Sequence, residues 1–284
     1  VLVERAYAKI NLTLDVLGKR QDGYHSVDMV MQTLDLSDLL WMEEMDQDAV
    51  IVDATAPHIP LDHRNLAVAA AELFRERSGI RRGLRLKIEK NIPVAAGLAG
   101  GSADAAAVLR GLNRLWQTGY SLDELADMGA EIGSDVPFCV YGGAAVASGR
   151  GERIHRFTHS LRAFVVLTRP PVFVSTADVY EATLPEQYAS APASPRMVKA
   201  LQEGDLERVR QAYTNGLMAT TFRLYPEVRA LADRIRTVTG QPVYMSGSGP
   251  TLYLLLPTQS QAQRTYNALR GFIRDVHLCR FTPV

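Results

Sequence analysis

The chain has 284 residues, 47% hydrophobic and 22% charged, and its 31 basic and 31 acidic side chains cancel, so no global field draws it to nucleic acid or an anionic membrane. Two cysteines, Cys139 and Cys279, are too few for a disulfide framework or a thiolate metal site and read as buried thiols in a reducing compartment. No apolar run nears the ~20 residues of a membrane span, and the early charges leave no signal-peptide core, so a cytoplasmic protein of one large domain or two modest ones is expected.

Ile10, Leu12, Leu14 and Val16 alternate with Lys9, Asn11, Thr13 and Asp15, which predicts an opening strand with one apolar and one polar face. A glycine-bounded turn, Gly18 to Gly23, leads into Tyr24-His25. Strands are expected at 27–34 and 39–43, with Asp35-Leu36-Ser37-Asp38 as the turn between them, and a third at 49–53. Asn65 caps a helix that runs to Ser78 and is closed by Gly79. Leu84, Leu86 and Ile88 alternate with Arg85, Lys87 and Glu89 as a half-buried strand, and the Ala- and Leu-rich run 105–116 is helical. Ser121-Leu122-Asp123-Glu124 is a capping box opening a helix that ends near Gly133. Gly133-Ser134-Asp135-Val136-Pro137 starts a short apolar element, followed by a strand at 144–147 and a turn at Gly149-Arg150-Gly151.

Composition shifts near Ile154, which sets the expected domains at 1–154 and 155–284. The second half reads as a strand at 163–168, a short helix at 176–183 and a Pro-, Ser- and Ala-rich loop at 185–195 expected to be mobile. Helices follow at 206–219 and 227–238, then two strands flanking Ser246-Gly247-Ser248-Gly249-Pro250, a helix at 261–272 and a last strand at 276–281. The pattern is α+β.

Between the strand at 84–88 and the helix after it lies Pro93-Val94-Ala95-Ala96-Gly97-Leu98-Ala99-Gly100-Gly101-Ser102-Ala103. Glycines let the backbone take positive φ and approach a bulky ligand, and the free N–H groups of a first helical turn favour phosphate. A tight strand-to-helix turn in which Ser102 is only a cap fits the same residues. No Lys follows the last glycine, so this is not a Walker loop, and it is not G-x-G-x-x-G. Asp135 reads either as a cap or as a general base whose ionised form is favoured by the helix dipole. Lys9 and Asn11 project side by side, as polar groups of a solvated strand face or of a site. Tyr24 and His25 suit either a strand edge or a nucleobase, and the 246–250 loop either a hairpin turn or a close backbone approach.

The glycine stretch resembles the P-x-x-x-G-L-x-x-S-[SA]-x-x-A phosphate loop of the GHMP kinases. Ala8-Lys9-Ile10-Asn11-Leu12, Gly133-Ser134-Asp135-Val136-Pro137 and the 246–250 loop resemble further family motifs in the family's order. The resemblance covers nearly the whole chain. It implies a two-domain fold: an N-terminal ATP-binding domain with a mixed sheet and helices, a C-terminal α/β sandwich domain, and the active site in the cleft between them. It implies Asp135 as catalytic base with Lys9 against it, and ATP held by residues 93–103 with Asn65 and Lys90 near the adenine. Mg²⁺ would travel with the nucleotide, without a protein metal cluster.

Asp22-Gly23-Tyr24-His25 resembles the branch whose acceptor is a cytidine-diphosphate-linked methylerythritol of the non-mevalonate isoprenoid pathway. For that substrate the resemblance implies Tyr24 and His25 at the base, Tyr180 of Thr176-Ala177-Asp178-Val179-Tyr180 as second aromatic, and Asn11, Thr176 and Gly247 at the acceptor. Homoserine- or mevalonate-type kinases and a silent regulator on the same fold are the alternatives. The expected partner is a small molecule, with no nucleic acid or membrane, and the chain a monomer or weak homodimer. Two positions depart from the pattern: Ala103 where a second Ser is common, and Asp104 where some relatives carry Asn or Ser.

Overall fold

Two long strands, β1 (Leu2–Lys19) and β2 (His25–Met45), open the fold, and each contributes to both of the units into which the chain divides. The computed structural model describes residues 1–56 and 58–282. β2 does not turn at Asp35–Asp38 as expected; it continues through them as one strand. The polar groups that suggested a turn are used over long range. Asp38 is fully buried, and its Oδ1 accepts from the backbone N–H groups of Asn91 (2.6 Å) and Ile92 (2.8 Å).

The first unit comprises Val1–Ala8, Leu36–Val94 and Ala99–Gly142. After the strand ends it contains β3 (Val50–Ala54), α1 (Leu66–Ser78), β4 (Gly83–Glu89), α2 (Gly100–Leu115), α3 (Leu122–Ile132) and α4 (Val136–Tyr141). β4 pairs antiparallel with β2, with Leu86 opposite Met42, and parallel with β3, with Leu86 opposite Val52. Its alternation is as expected, Leu84, Leu86 and Ile88 being fully buried. α1 has the expected bounds: Asn65 Oδ1 accepts from Ala67 N at 3.0 Å, and Gly79 closes the helix at φ 70°. The capping box of α3 is complete, with Ser121 N donating to Glu124 at 2.8 Å and Glu124 N to Ser121 Oγ at 3.2 Å. Phe74 of α1 is fully buried beside Trp116 and Tyr120, a burial worth about 1.5–3 kcal/mol.

The second unit comprises Lys9–Asp35, Ala95–Leu98 and the chain from Gly143 onward. It contains β5 (Ala144–Gly149), β6 (Arg153–Phe157), β7 (Phe164–Thr168), α5 (Thr176–Glu181), a 3-10 turn at Pro185–Gln187, α6 (Ser194–Gln202) and α7 (Leu206–Ala212). There follow β8 (Thr214–Asn215), α8 (Met218–Leu224), α9 (Pro226–Thr239), β9 (Tyr244–Met245), β10 (Leu252–Leu256), α10 (Gln259–Arg270) and β11 (Val276–Arg280). β5 pairs antiparallel with β2 and with β6, and β8 pairs parallel with β1 at Thr13 and Leu14. A second, antiparallel sheet has the order β11-β7-β10-β9, with α10 packed on it. Strands and helices combine as the α+β reading expects. The units interleave along the chain, a different division from a single cut at 154/155, because β5 and β6 join β2 in the second unit.

Two further expectations change. The helix expected at 206–219 is broken by β8, because Asn215 Nδ2 is drawn to the carbonyls of Met245 and Gly247, both at 2.9 Å. The stretch 185–195 is pinned: Ala189 N donates to Val16 O at 2.8 Å, Ala193 N to Asp15 Oδ2 at 2.7 Å, and α6 begins at Ser194. Among the described residues no helix is long and apolar enough to cross a membrane.

Candidate active site

The chain leaves β4 and reaches α2 through a loop that takes left-handed conformations at Ala95 (φ 52°), Gly97 (φ 73°) and Ala99 (φ 56°). α2 starts at Gly100, earlier than the alanine run suggested, so Ser102 lies inside the first turn and does not cap it from outside. Ala99 takes the N-cap position, and no side chain caps there. Ala103 N donates to Ala99 O at 2.8 Å, while the N–H groups of Gly100, Gly101 and Ser102 precede this first intrahelical donor. With Gly101 exposed and no side-chain cap on the first turn, these residues fit a phosphate group at the positive end of a long helix.

In the second unit, Gly97 is required by space as well as by φ: a Cβ there would lie 2.5 Å from Ser246 O. Ser246 Oγ donates to Gly97 O at 2.9 Å and accepts from Asn11 N at 3.3 Å, and Lys9 N donates to Leu98 O at 3.1 Å. The polar face of β1 is not solvated. Lys9 is 4% and Asn11 1% exposed, and Lys9 Nζ donates to Asn11 Oδ1 at 2.8 Å. Tyr253 Oη donates to Asn11 O at 2.8 Å, which ties β10 to this strand. Gly247 (φ 60°) sits where a Cβ would come within 3.5 Å of Gly97 Cα and 3.7 Å of Asn11 Oδ1. Thr176 Oγ1 shares a hydrogen bond with Ser248 Oγ at 2.8 Å. The hairpin turn and the close backbone approach are therefore the same loop.

The Tyr24-His25 turn is braced from within. Arg20 Nε and Nη2 donate to Asp22 Oδ2 at 3.0 and 2.8 Å, and Tyr24 N donates to Asp22 Oδ1 at 3.1 Å. Tyr24 is 55% exposed, with the Arg150 guanidinium 4.9 Å from its ring centre. His25 is buried, its ring 5.3 Å from Tyr180 at a 32° tilt and 6.0 Å from Tyr188 edge-on. Burial, with the Lys19 charge second, holds the His25 pKa below its ordinary 6.5. Arg150 and Tyr188 were not legible as part of this group. Tyr188 falls in the stretch that composition marks as a mobile loop, and only its anchoring to β1 brings it to the imidazole.

In the first unit, Asp135 occupies the N-cap position of α4 with φ −86° and ψ −13°, and its side chain makes no capping hydrogen bond to that helix. The cap reading of this carboxylate is thereby removed. Asn65 does cap α1, and its Nδ2 donates to Pro60 O at 2.9 Å. Lys90 is committed to two carboxylates, Asp38 and Asp104, the latter at 2.6 Å. Asp104 thus turns away from the loop into the interior. Pro93 is half-buried, Val94 exposed, and Ala96 and Leu98 buried. Among the described residues no group of three or more His, Cys, Asp and Glu is arranged to hold a metal ion.

Comparison with known proteins agrees with this architecture. The family description "GHMP kinases N terminal domain" matches residues 65–143 and "GHMP kinases C terminal" residues 197–275. A 4-diphosphocytidyl-2-C-methyl-D-erythritol kinase of Bacillus cytotoxicus is 48% identical over 279 residues, covering 98% of this chain and 96% of that protein. The protein of the same name from Listeria monocytogenes is 46% identical over 275 residues, covering 97% and 94%. A crystal structure of 4-(cytidine 5'-diphospho)-2C-methyl-D-erythritol kinase superposes with a TM-score of 0.84 at 32% identity, covering all of both chains. Homoserine kinase from Cytophaga hutchinsonii shares the fold, with a TM-score of 0.75 at 18% identity, covering 99% of this chain and 95% of that one. The glycine loop before α2, the family matches in both halves and the full-length likeness lead to one assignment: the chain belongs to the GHMP kinase family and is a kinase.

Proposed function

We propose that the protein transfers the terminal phosphoryl group of ATP to the 2-hydroxyl of 4-diphosphocytidyl-2-C-methyl-D-erythritol, as a cytoplasmic enzyme of the non-mevalonate route to isoprenoid precursors. The observation that carries this choice of acceptor is the buried His25 flanked by Tyr180 and Tyr188, next in sequence to the exposed Tyr24. Such a group suits a pyrimidine. Flat rings offer stacking faces, and a neutral imidazole keeps one donor and one acceptor for the base edge.

ATP, bound with Mg²⁺ held mostly by phosphate and water, supplies the phosphoryl group. The backbone N–H groups of Gly100, Gly101 and Ser102 bind phosphate oxygens, with the bare loop backbone from Pro93 to Ala99 following them. Asp135 accepts the proton of the 2-hydroxyl, and Lys9 stabilises negative charge on the attacking oxygen and on the moving group. Asn11, whose Oδ1 is already engaged by Lys9, orients the acceptor through its amide, and Gly247 and Thr176 border the same acceptor. A tertiary hydroxyl is crowded and weakly acidic, so alignment supplies the larger share of catalysis.

Steady-state assays with the cytidyl substrate, homoserine and mevalonate test the reading. Turnover is expected with the first alone, and Tyr24→Ala should raise its KM about 10-fold or more with kcat and the KM for ATP little changed, as loss of one base-stacking face implies. Preferred turnover of homoserine or mevalonate would refute the assignment of substrate, and binding of both ligands without any transfer would make the protein a regulator.

His25 gives the reading a pH signature. Its folded pKa lies below 6.5, so the neutral ring persists from neutral pH down past that value. The KM for the cytidyl substrate should be flat there and rise only as the pH falls further, when the acceptor nitrogen is protonated. His25→Gln, which cannot titrate, should lose that rise. A KM that climbs in the glutamine variant as in the wild type would place the titrating group elsewhere.

A further inference from the structure

We propose that Asp38, Lys90 and Asp104 are a positioning cluster that ties down the backbone on both sides of the glycine loop and so sets the aim of the α2 first-turn amides at phosphate. The proposal rests on the phosphate-loop reading above and adds to it three residues that act through the loop backbone.

The cluster is buried, with side-chain exposures of 0% for Asp38, 5% for Lys90 and 4% for Asp104. Each member sits on a different piece of the first unit: Asp38 on β2, Lys90 just after β4, and Asp104 on the second turn of α2. Asp38 divides its two oxygens. Oδ1 accepts from Asn91 N at 2.6 Å and Ile92 N at 2.8 Å, which fixes the chain entering the loop, and Oδ2 accepts from Lys90 Nζ. Lys90 Nζ also donates to Asp104 Oδ2 at 2.6 Å, which fixes the helix leaving the loop. The two ends are joined through one ammonium group. A Cβ on Gly100 would come within 3.2 Å of Ile92 Cγ2 and 3.4 Å of Lys90 Nζ, so the helix start is bare where the cluster passes beneath it.

The arrangement explains why an acidic residue is tolerated so close to a phosphate-binding turn. Asp104 Oδ1 is buried with no hydrogen-bond partner, and the other oxygen faces Lys90, so neither serves the loop. Burial, only partly offset by Lys90 and reinforced by Asp38, pushes the Asp104 carboxyl up to about 8. Burial also works against the Lys90 ammonium, but the two carboxylates outweigh it and hold the Lys90 pKa up. One cation and two acids in so dry a place form a unit in which removal of one member unbalances the others.

The test is calorimetric ATP binding by wild type, Lys90→Met, Asp104→Ala and the double variant Lys90→Met/Asp104→Asn, with hydrogen exchange read at residues 91–103 and the acceptor KM measured alongside. Lys90→Met is expected to weaken ATP binding about 10- to 100-fold through misplacement of the loop, to speed exchange at those amides and to leave the acceptor KM unchanged. The double variant, which also removes the buried acid left without its Lys90 partner, should recover part of the affinity and of the protection. Asp104→Ala keeps Lys90 paired with Asp38 and should weaken ATP by roughly 3- to 10-fold, which reads the proposal even if Lys90→Met does not fold. Unchanged ATP affinity in both single variants, with only the melting temperature lowered, would overturn it in favour of simple structural support. Equal, severe loss in Lys90→Met and the double variant, with exchange unaltered, would overturn it in favour of Lys90 as a direct nucleotide ligand. A wild type that takes no ATP would bring down the phosphate-loop reading itself, a result distinct from both.

Discussion

Asp135→Asn is expected to lower kcat by about 10²- to 10⁴-fold, the range for loss of a general base, while ATP binding measured by calorimetry stays within about twofold of wild type. Asparagine keeps the shape and can still hold a hydroxyl, but it cannot take the proton as the oxygen attacks. The carboxylate makes no capping bond to α4, so the substitution removes no cap from that helix, and the melting temperature is measured alongside. An Asp135→Asn enzyme with near-normal kcat and a lowered melting temperature would mean that the residue is structural.

Lys9→Met is expected to reduce kcat by about 10²- to 10³-fold, comparable to removal of one preorganised group that meets developing negative charge. Methionine retains the buried stem but leaves Asn11 Oδ1 without its 2.8 Å donor, at a stability cost of about 1–3 kcal/mol. Activity and stability must therefore be measured separately, and Lys9→Arg, which restores charge with a different reach, should fall between wild type and methionine. The double variant Lys9→Met/Asp135→Asn carries the sharper prediction. Residues that act on one proton transfer as a unit are non-additive, so the pair should be little worse than the weaker single variant. Fully multiplicative losses would show that the two side chains serve different steps.

The elements legible in the sequence were those closed by their own neighbours. Asn65 and Gly79 bound α1 because a capping amide and a left-handed glycine act within one turn. The Ser121–Glu124 box and the alternation of β4 are equally local. The glycine loop, Lys9, Asn11 and the Tyr24-His25 pair were legible as candidates because residue type and spacing carry their chemistry. Their pairings were not. Lys9 reads as an exposed lysine on an amphipathic strand, and only the fold makes it a buried donor to Asn11.

Elements that misled share one cause: their polar groups find partners far along the chain. Asp38 belongs to a turn by composition, yet it accepts from the Asn91 and Ile92 amides within a continuous strand. Asn215 looks like the interior of one helix until the carbonyls of Met245 and Gly247 claim its amide and make β8 of its surroundings. The 185–195 stretch has the composition of a free loop and is fastened by Val16 O and Asp15.

Local propensity and periodicity thus determined the ends of α1, the start of α3 and the buried face of β4, since these depend on interactions within a turn or a pleat. The tertiary structure alone decided which buried charges are matched, which aromatic rings surround His25 and why Asp104 faces inward. Those outcomes depend on desolvation and on hydrogen bonds between residues that only folding makes neighbours.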